Sequence, residues 1–417
     1  MQFLFVHQNF PGQFVHLAPS LVQRGHSVKA FVMRKGVGKE WSGIQLHEVK
    51  PIKGSTPGIH PWLIDLETKV IRGESIFRAA LELKRSGYEP DVIMAHPGWG
   101  ESLFLKDVWP KAQLAIYCEF NYSETGFDVG FDPEFSEVQE GDACRLRLKN
   151  LNNSMHFEFA NAAVSPTRFQ AETFPLPFRK KIKVLHDGID TLKIRPKPDA
   201  RLTLPNNTVL TRDHEVITFA NRNLEPYRGY HIFMRALPQI LRERPLAHVV
   251  IVGGDQTSYG RAPAKNATWK QIFIDEVRPQ ISDADWQRVT FLPQLARDTF
   301  SAFLQISRVH IYFTYPFVAG WSLLESMSAG CTVIGSDTAP VREFISHERN
   351  GILSPFFDIP ALVHNISRVL DDEALRTRLG AEARRTVESN YDLQSVCLPQ
   401  WVQWAEGLSN GRRKKSQ

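Results

Sequence analysis

The chain has 417 residues, 42% hydrophobic and 23% charged, with a formal net charge of +5. That length exceeds what one core usually organises, so two domains are expected, and the composition is that of an ordinary soluble globular protein rather than a disordered or fibrous one. No apolar run approaches the ~20 residues that span a bilayer, and the opening "MQFLFVHQNFPGQF" reads as a buried first strand rather than a secretory leader, which points to a cytoplasmic protein.

Four cysteines, Cys118, Cys144, Cys331 and Cys397, lie far apart with no C-x-x-C pair, so reduced thiols are expected, with neither a disulfide framework nor a zinc site. The mild positive charge is concentrated in "FRKKIK" at 178–183 and in "GRRKKSQ" at the end. Such runs are read either as solvated surface or as peripheral contact with the anionic inner face of a membrane. No nucleic-acid-binding module accompanies them.

In chain order, the first half carries the apolar runs "QFLFV", "SVKAFVM", "DVIMA", "LAIYCEF", "AAVS" and "KIKVL". The second half carries "EVITFA", "HVVIVG", "RVTFL", "VHIYFT" and "CTVIGS". Most are Val/Ile-rich and nearly continuous, as strands buried on both faces of a parallel sheet are. Helical patterns alternate with them. In Phe14 to Arg24, the residues Phe14, Leu17, Ala18, Leu21 and Val22 keep the 3.6 period, Gly25 is placed to end the helix, and Pro19 implies a kink or a late start. Repeated β-α-β units of this kind predict α/β architecture with two Rossmann-like domains facing across a cleft. The periodic pattern breaks in "HDGIDTLKIRPKPDARLTLPNNTV", which suggests domains at 1–190 and 191–394. A last helix at about 395–410 carries Trp401 and Trp404, with the first domain as one place to dock.

Ligands of such sheets bind beyond the carboxyl ends of the strands, so the loops that follow strands hold the candidates. After the first strand, Gly12 permits close approach of backbone to a ligand, or serves simply as a turn glycine. His96 directly follows "DVIMA" and is suited to exchange a proton with a ligand hydroxyl near neutral pH. Glu119 and Tyr122, after the next strand, are weaker candidates for an acceptor substrate. In the second half, Arg222 follows a strand and Arg228 precedes Gly229 and a helix. Two guanidiniums beside a helix N-terminus suit a diphosphate, because arginine offers paired donors to phosphate oxygens. Gly253 and Gly254 follow "HVVIV", where a base or ribose would pass close to backbone.

The fifth loop, Ala319-Gly320-Trp321-Ser322, leads into a helix bearing Glu325. Ser322 and Glu325 have the S-x-x-E spacing of a capping box, while the helix start also suits a phosphate and Glu325 a ribose diol. Asp283-Ala284-Asp285 imitates a metal-binding pair but precedes a strand, and helix capping explains it. No metal-site cluster, G-x-S-x-G elbow, phosphate-binding G-x-x-x-x-G-K loop or dinucleotide fingerprint is present.

Taken in order, these segments resemble the retaining nucleotide-sugar glycosyltransferases of the GT-B fold, group 1 or family 4. "MQFLFVHQNFPGQFVHLAPSLVQRGHSV" looks like that family's first strand, glycine loop and helix, and "NRNLEPYRGYHIFMRAL" like its phosphate segment, with Arg228 where lysine is usual. "VTFLPQL", "VHIYFTYPF" and "GWSLLESMSAGCTVIGSDTAPVREFI" are similar to its donor-binding half. The family's E-x(7)-E signature is incomplete: Glu325 stands at the second acid and Phe317 at the first. The resemblance implies transfer of a hexose-type unit from a nucleoside diphosphate sugar, with retention and without metal or cofactor. Arg222, Arg228 and His96 would act in catalysis, while Gly12, Gly253, Gly254, Gly320, Trp321, Ser322 and Glu325, with the two arginines, would line the donor site. A nucleotide-sugar epimerase of the same fold, or an inactive sugar-nucleotide binding protein, are the alternatives. Sugar, base, acceptor and oligomeric state are not encoded in any motif.

Overall fold

In the computed structural model, which describes residues 1–135 and 140–408, eight strands of the first unit form one sheet. They are β1 (Gln2–Val6), β2 (Ser27–Val32), β3 (Glu40–Trp41), β4 (Ile44–Glu48), β5 (Val92–Ala95), β6 (Gln113–Tyr117), β7 (Ala162–Ser165) and β8 (Ile182–Val184), in the spatial order β3-β4-β2-β1-β5-β6-β7-β8. All pair in parallel except the two-residue β3. A short antiparallel hairpin, β9 (Leu202–Thr203) and β10 (Val209–Leu210), follows.

The second unit has six parallel strands, β11 (Val216–Asn223), β12 (His248–Gly254), β13 (Val289–Leu292), β14 (Val309–Tyr312), β15 (Thr332–Ser336) and β16 (Ile352–Ser354), ordered β13-β12-β11-β14-β15-β16. That is a Rossmann order, with a switch point where β11 meets β14; the equivalent point of the first sheet lies between β1 and β5. At each switch point successive crossovers run to opposite sides, which opens a crevice beyond the strand ends.

The central strands form because their apolar residues find cover on both faces. β5 is buried at every position, and so are β14 and β15. Strands β3, β4 and β16 and the hairpin were not anticipated. In β4 only Ile44 is buried and Gln45 and Glu48 are exposed, so it lacks the continuous apolar signal of a central strand. The first helix begins late: a 3-10 turn at Gly12–Phe14 precedes Leu17–Gln23. Pro19 thereby occupies the first turn, where a missing N–H costs nothing.

The units are not two sequential blocks. The first comprises Met1–Thr125, Val138–Gly188 and Gln394–Gln417, the second Gly126–Glu137 and Ile189–Leu393. The division at 1–190 and 191–394 is corrected by the segment at 126–135, which packs on the second unit through long-range partners that no local pattern reveals. Tyr227 donates its hydroxyl to Asp128, Tyr315 donates to Asp132 at 2.6 Å, His231 Nε2 lies 3.0 Å from Asp132, and Arg235 pairs with Glu134 at 2.6 Å. Phe131 packs on Tyr315 and Phe356, and Phe135 on His231 and Phe273. Helix Leu398–Gly407 belongs to the first unit. Trp401 lies parallel to Tyr117 at 6.3 Å and donates to the His186 carbonyl at 2.9 Å, while Glu406 pairs with Arg24 and His26.

Candidate functional site: a cationic cavity at a sheet switch point

A cavity of about 530 Å³ opens at the carboxyl ends of β11 and β14. The end of β11 supplies Ala220 to Asn223, the loop after β13 supplies Gln294 and Leu295, and the helix that follows, Arg297–Gln305, supplies Arg297 and Phe300. Glu225, Arg228, Val252, Tyr259, Tyr312, Gly320 and Ser322 complete the wall. Three arginines thus face one volume. Arg222 is exposed, whereas Arg228 is 8% exposed and held in place. Its Nη1 donates to Thr314 Oγ1 and to the Val318 carbonyl, each at 2.8 Å, and its guanidinium lies 4.8 Å from the centre of the Tyr259 ring.

Arg228 reaches this place because the chain turns sharply behind it. Gly229 adopts a left-handed conformation, φ +68, and a Cβ there would sit 2.3 Å from Phe313. Only glycine fits both conditions.

Helix Trp321–Ser328 starts at the cavity with Gly320 as its N-cap and no side-chain cap. Tyr312 Oη accepts the Gly320 N–H at 2.6 Å, so the loop is fixed from the strand behind it. The capping box expected from Ser322 and Glu325 is therefore not formed. Ser322 stands one residue inside the helix and lines the cavity. Glu325 sits a turn deeper, 8% exposed, with Oε1 3.4 Å from Arg297; burial holds its carboxyl above the usual range, partly offset by Arg297. Trp321 is 39% exposed and is not among the lining residues.

Gly253 and Gly254 do not line the cavity. A Cβ on Gly253 would meet Leu224 at 2.7 Å, and one on Gly254 would meet Asn223 Oδ1 at 2.5 Å, so packing between β11 and β12 explains both. Phe317 is also turned inward. It is 5% exposed, edge-on to Tyr227 at 5.3 Å and 5.1 Å from Tyr259.

In the first unit the switch point brings together two histidines. His7 follows β1 and His96 follows β5, with ring centres 5.3 Å apart. His7 accepts the Asn9 N–H on Nδ1 at 3.0 Å and faces Gln13 Oε1 at 2.8 Å; burial, with His96 nearby, lowers its pKa to about 3. His96 accepts the Gly98 N–H on Nδ1, which leaves the proton of the neutral ring on Nε2. Nε2 is buried without a hydrogen-bond partner, 3.5 Å from Glu119 Oε2. Gly12 is explained by His7 rather than by a ligand: its φ is +49, and a Cβ would lie 2.3 Å from the imidazole. Tyr122 has Lys149 Nζ 3.7 Å over its ring. Glu101 is 1% exposed with both carboxylate oxygens unpartnered, and burial pushes it up to about 7.

Among the residues missed in the sequence, His7 stands directly after a strand as His96 does, and Gln294 and Arg297 follow "VTFL"; the strand-end rule reaches all three. Glu225, Tyr259 and Tyr312 also end or follow strands, but an acid and two tyrosines are not residue types that announce a phosphate site. Asp283 and Asp285 pair with Arg278 and Arg288, and Ser282 caps their short helix. Among the described residues no group of three His, Cys, Asp or Glu could hold a metal ion, and no helix is long and apolar enough to cross a membrane. In the basic run, Lys181 donates to the Phe157 and Ala160 carbonyls, while "GRRKKSQ" lies outside the described residues.

A Rossmann sheet whose switch point holds several guanidiniums and a helix N-terminus presents the donors and the positive charge by which phosphate groups are held in sheets of this class. Residues 24–194 match the glycosyl transferase family 4 group and residues 204–386 match the glycosyl transferases group 1. The chain belongs to the group 1 glycosyltransferases. It is 24% identical over 259 residues to D-inositol 3-phosphate glycosyltransferase of Jonesia denitrificans, covering 60% of this chain and 58% of that one. The chain spans just over half the length of the first curated relatives it matches. Among solved structures, sucrose-phosphate synthase from Thermosynechococcus elongatus superposes with a TM-score of 0.70 at 16% identity, over 98% of this chain and 100% of that one. HepE of Anabaena in complex with UDP gives 0.68 at 16% identity, over the same shares. The fold is GT-B.

Proposed function

We propose that this protein transfers a hexose-type sugar from a nucleoside diphosphate sugar to an acceptor that is a glycan, a lipid or a small molecule, with retention at the anomeric carbon. The observation that carries this reading is the convergence of Arg222, Arg228 and the start of helix Trp321–Ser328 on one cavity. HepE, which shares the fold, is described in complex with UDP and with UDP-glucose. In the step proposed, the bond from C1 to the diphosphate breaks while the acceptor oxygen bonds to C1 on the same face, and the acceptor proton passes to a diphosphate oxygen.

Charge develops on the leaving diphosphate, so donors fixed in advance lower the barrier. Arg228 is such a donor, because Thr314 and Val318 hold it before any ligand arrives. The helix start adds an interaction typically worth 0.3–1 kcal/mol per charge. The arginines meet the charge that a metal ion would otherwise neutralise, so activity is expected to persist in a chelator without any cofactor. His96, with Nε2 unpartnered, is assigned to a substrate hydroxyl, and Glu119 with Tyr122 to the acceptor. The test is nucleotide release from UDP-, GDP- and ADP-sugars, with and without an acceptor library. Acceptor-dependent release supports transfer; sugar interconversion without transfer indicates an epimerase, and binding with no turnover an inactive binding protein.

A further inference from the structure

Glu225 lies between the two arginines in sequence and in the wall of the same cavity, yet it is an acid in a place meant for an anion. It is 1% exposed, and burial raises its carboxyl to about 7 even with Arg228 and Arg222 nearby. A carboxylate kept under such conditions has work that a neutral side chain does less well.

Its partners are backbone donors of the loop after β12. Glu225 accepts the Ser258 N–H at 3.1 Å and the Tyr259 N–H at 3.0 Å on Oε2, with Oε1 3.3 Å from Ser258 N. Asn223 adds a bond from Nδ2 to Ser258 Oγ at 2.6 Å. The loop so held delivers the Tyr259 ring to Arg228, 4.8 Å from the guanidinium, and Phe317 supports the ring at 5.1 Å. The residue that replaces the family's first acid is thus part of this support.

We infer that Glu225 is a positioning residue for the donor: by clasping the 255–260 loop it sets Tyr259 against Arg228 and so fixes the aim of the guanidinium at the diphosphate. The inference rests on the proposed nucleotide site. A glutamine in its place has one oxygen acceptor and brings an NH₂ group against backbone N–H donors, so the clasp is weakened while the volume is unchanged.

The test measures UDP, GDP and ADP binding by calorimetry on the full chain, together with melting temperature, for wild type, Glu225→Gln, Tyr259→Ala, Tyr259→Phe and the Glu225→Gln/Tyr259→Ala pair. The expected result is about a tenfold rise in Kd for each of the first two, no further rise in the pair, and near wild-type binding for Tyr259→Phe. UMP, GMP and AMP, titrated alongside, should lose less than the diphosphates, a difference that a general loss of stability does not produce. Additive losses in the pair, or unchanged diphosphate affinity in Glu225→Gln, overturn the inference and leave the nucleotide site standing. Tyr259→Ala, in the partly exposed 255–260 loop, decides the matter if Glu225→Gln fails to fold. Absence of any nucleotide binding by wild type overturns the site and the inference together.

Discussion

Arg228 donates to Thr314 Oγ1 at 2.8 Å, so an arginine in one loop of the second sheet is anchored to the end of the neighbouring strand. A guanidinium has donors to spare after such an anchor, and those are what a ligand meets.

Removing the group should cost what a fixed oxyanion donor supplies, about 2.7–4 kcal/mol of transition-state stabilisation. For Arg228→Ala we expect a fall in kcat/KM of roughly a hundred- to a thousand-fold, and for Thr314→Val, which removes only the side-chain anchor, a smaller one. Steady-state donor turnover checks both. Equal losses would mean that Thr314 acts through folding rather than through Arg228.

Glu325 does not cap its helix, so Glu325→Gln has no cap to lose. Its pair with Arg297, whose side chain is 67% exposed, is worth less than about 1 kcal/mol. The folded-state pKa is raised by burial, so the group's stabilising contribution is present at low pH and is lost as pH rises. Glu325→Gln should therefore melt no lower than wild type above neutral pH. If it also binds nucleotide more weakly, a ligand contact is indicated; unchanged binding removes Glu325 from the donor site.

Gly12 packs against His7 in a left-handed conformation. Gly12→Ala should lower stability by roughly 2–4 kcal/mol, combining left-handed strain of about 1–2 kcal/mol with overpacking. His7→Ala in the same chain should recover the overpacking part but not the strain, which denaturant titration of the double-mutant cycle will show as coupling of at least about 1 kcal/mol.

Glu101 is buried without a hydrogen-bond partner, and its pKa of about 7 exceeds the ordinary 4.5. The folded state binds the extra proton, so stability from this group is complete below pH 4.5 and is lost as pH rises through 7. The loss amounts to roughly 3 kcal/mol. Glu101→Gln should flatten the melting curve between those values, and an unchanged slope would show that the carboxyl finds partners in solution.

Central strands such as "DVIMA" and "HVVIVG" were readable because burial on both faces leaves an uninterrupted apolar run. β4 was not, since one of its faces is partly exposed. The strand-end rule reached Arg222, Arg228 and His96, whose placement depends on position after a strand. It misled at Gly253 and Gly254, because a glycine required by strand packing has the same letter as one required by a ligand. The S-x-x-E spacing misled for a different reason: Tyr312, at the end of the strand that leads into the loop, accepts the Gly320 N–H at the helix start. Local spacing contains no information about that partner. The segment at 126–135 was invisible on the same ground, its acids being paired with Tyr227, Tyr315, His231 and Arg235 about a hundred or more positions away.

The stacking of Trp401 on Tyr117 has a consequence for synthesis. A ribosome delivers the strands of the first sheet early, but the helix that covers Tyr117 emerges only after the whole second unit has been translated. The nascent first unit must wait with that apolar face uncovered, the condition in which chaperone binding and aggregation compete with folding. A fragment ending at residue 188 would remain in that waiting state, and adding Leu398–Gly407 as a separate peptide should mature it.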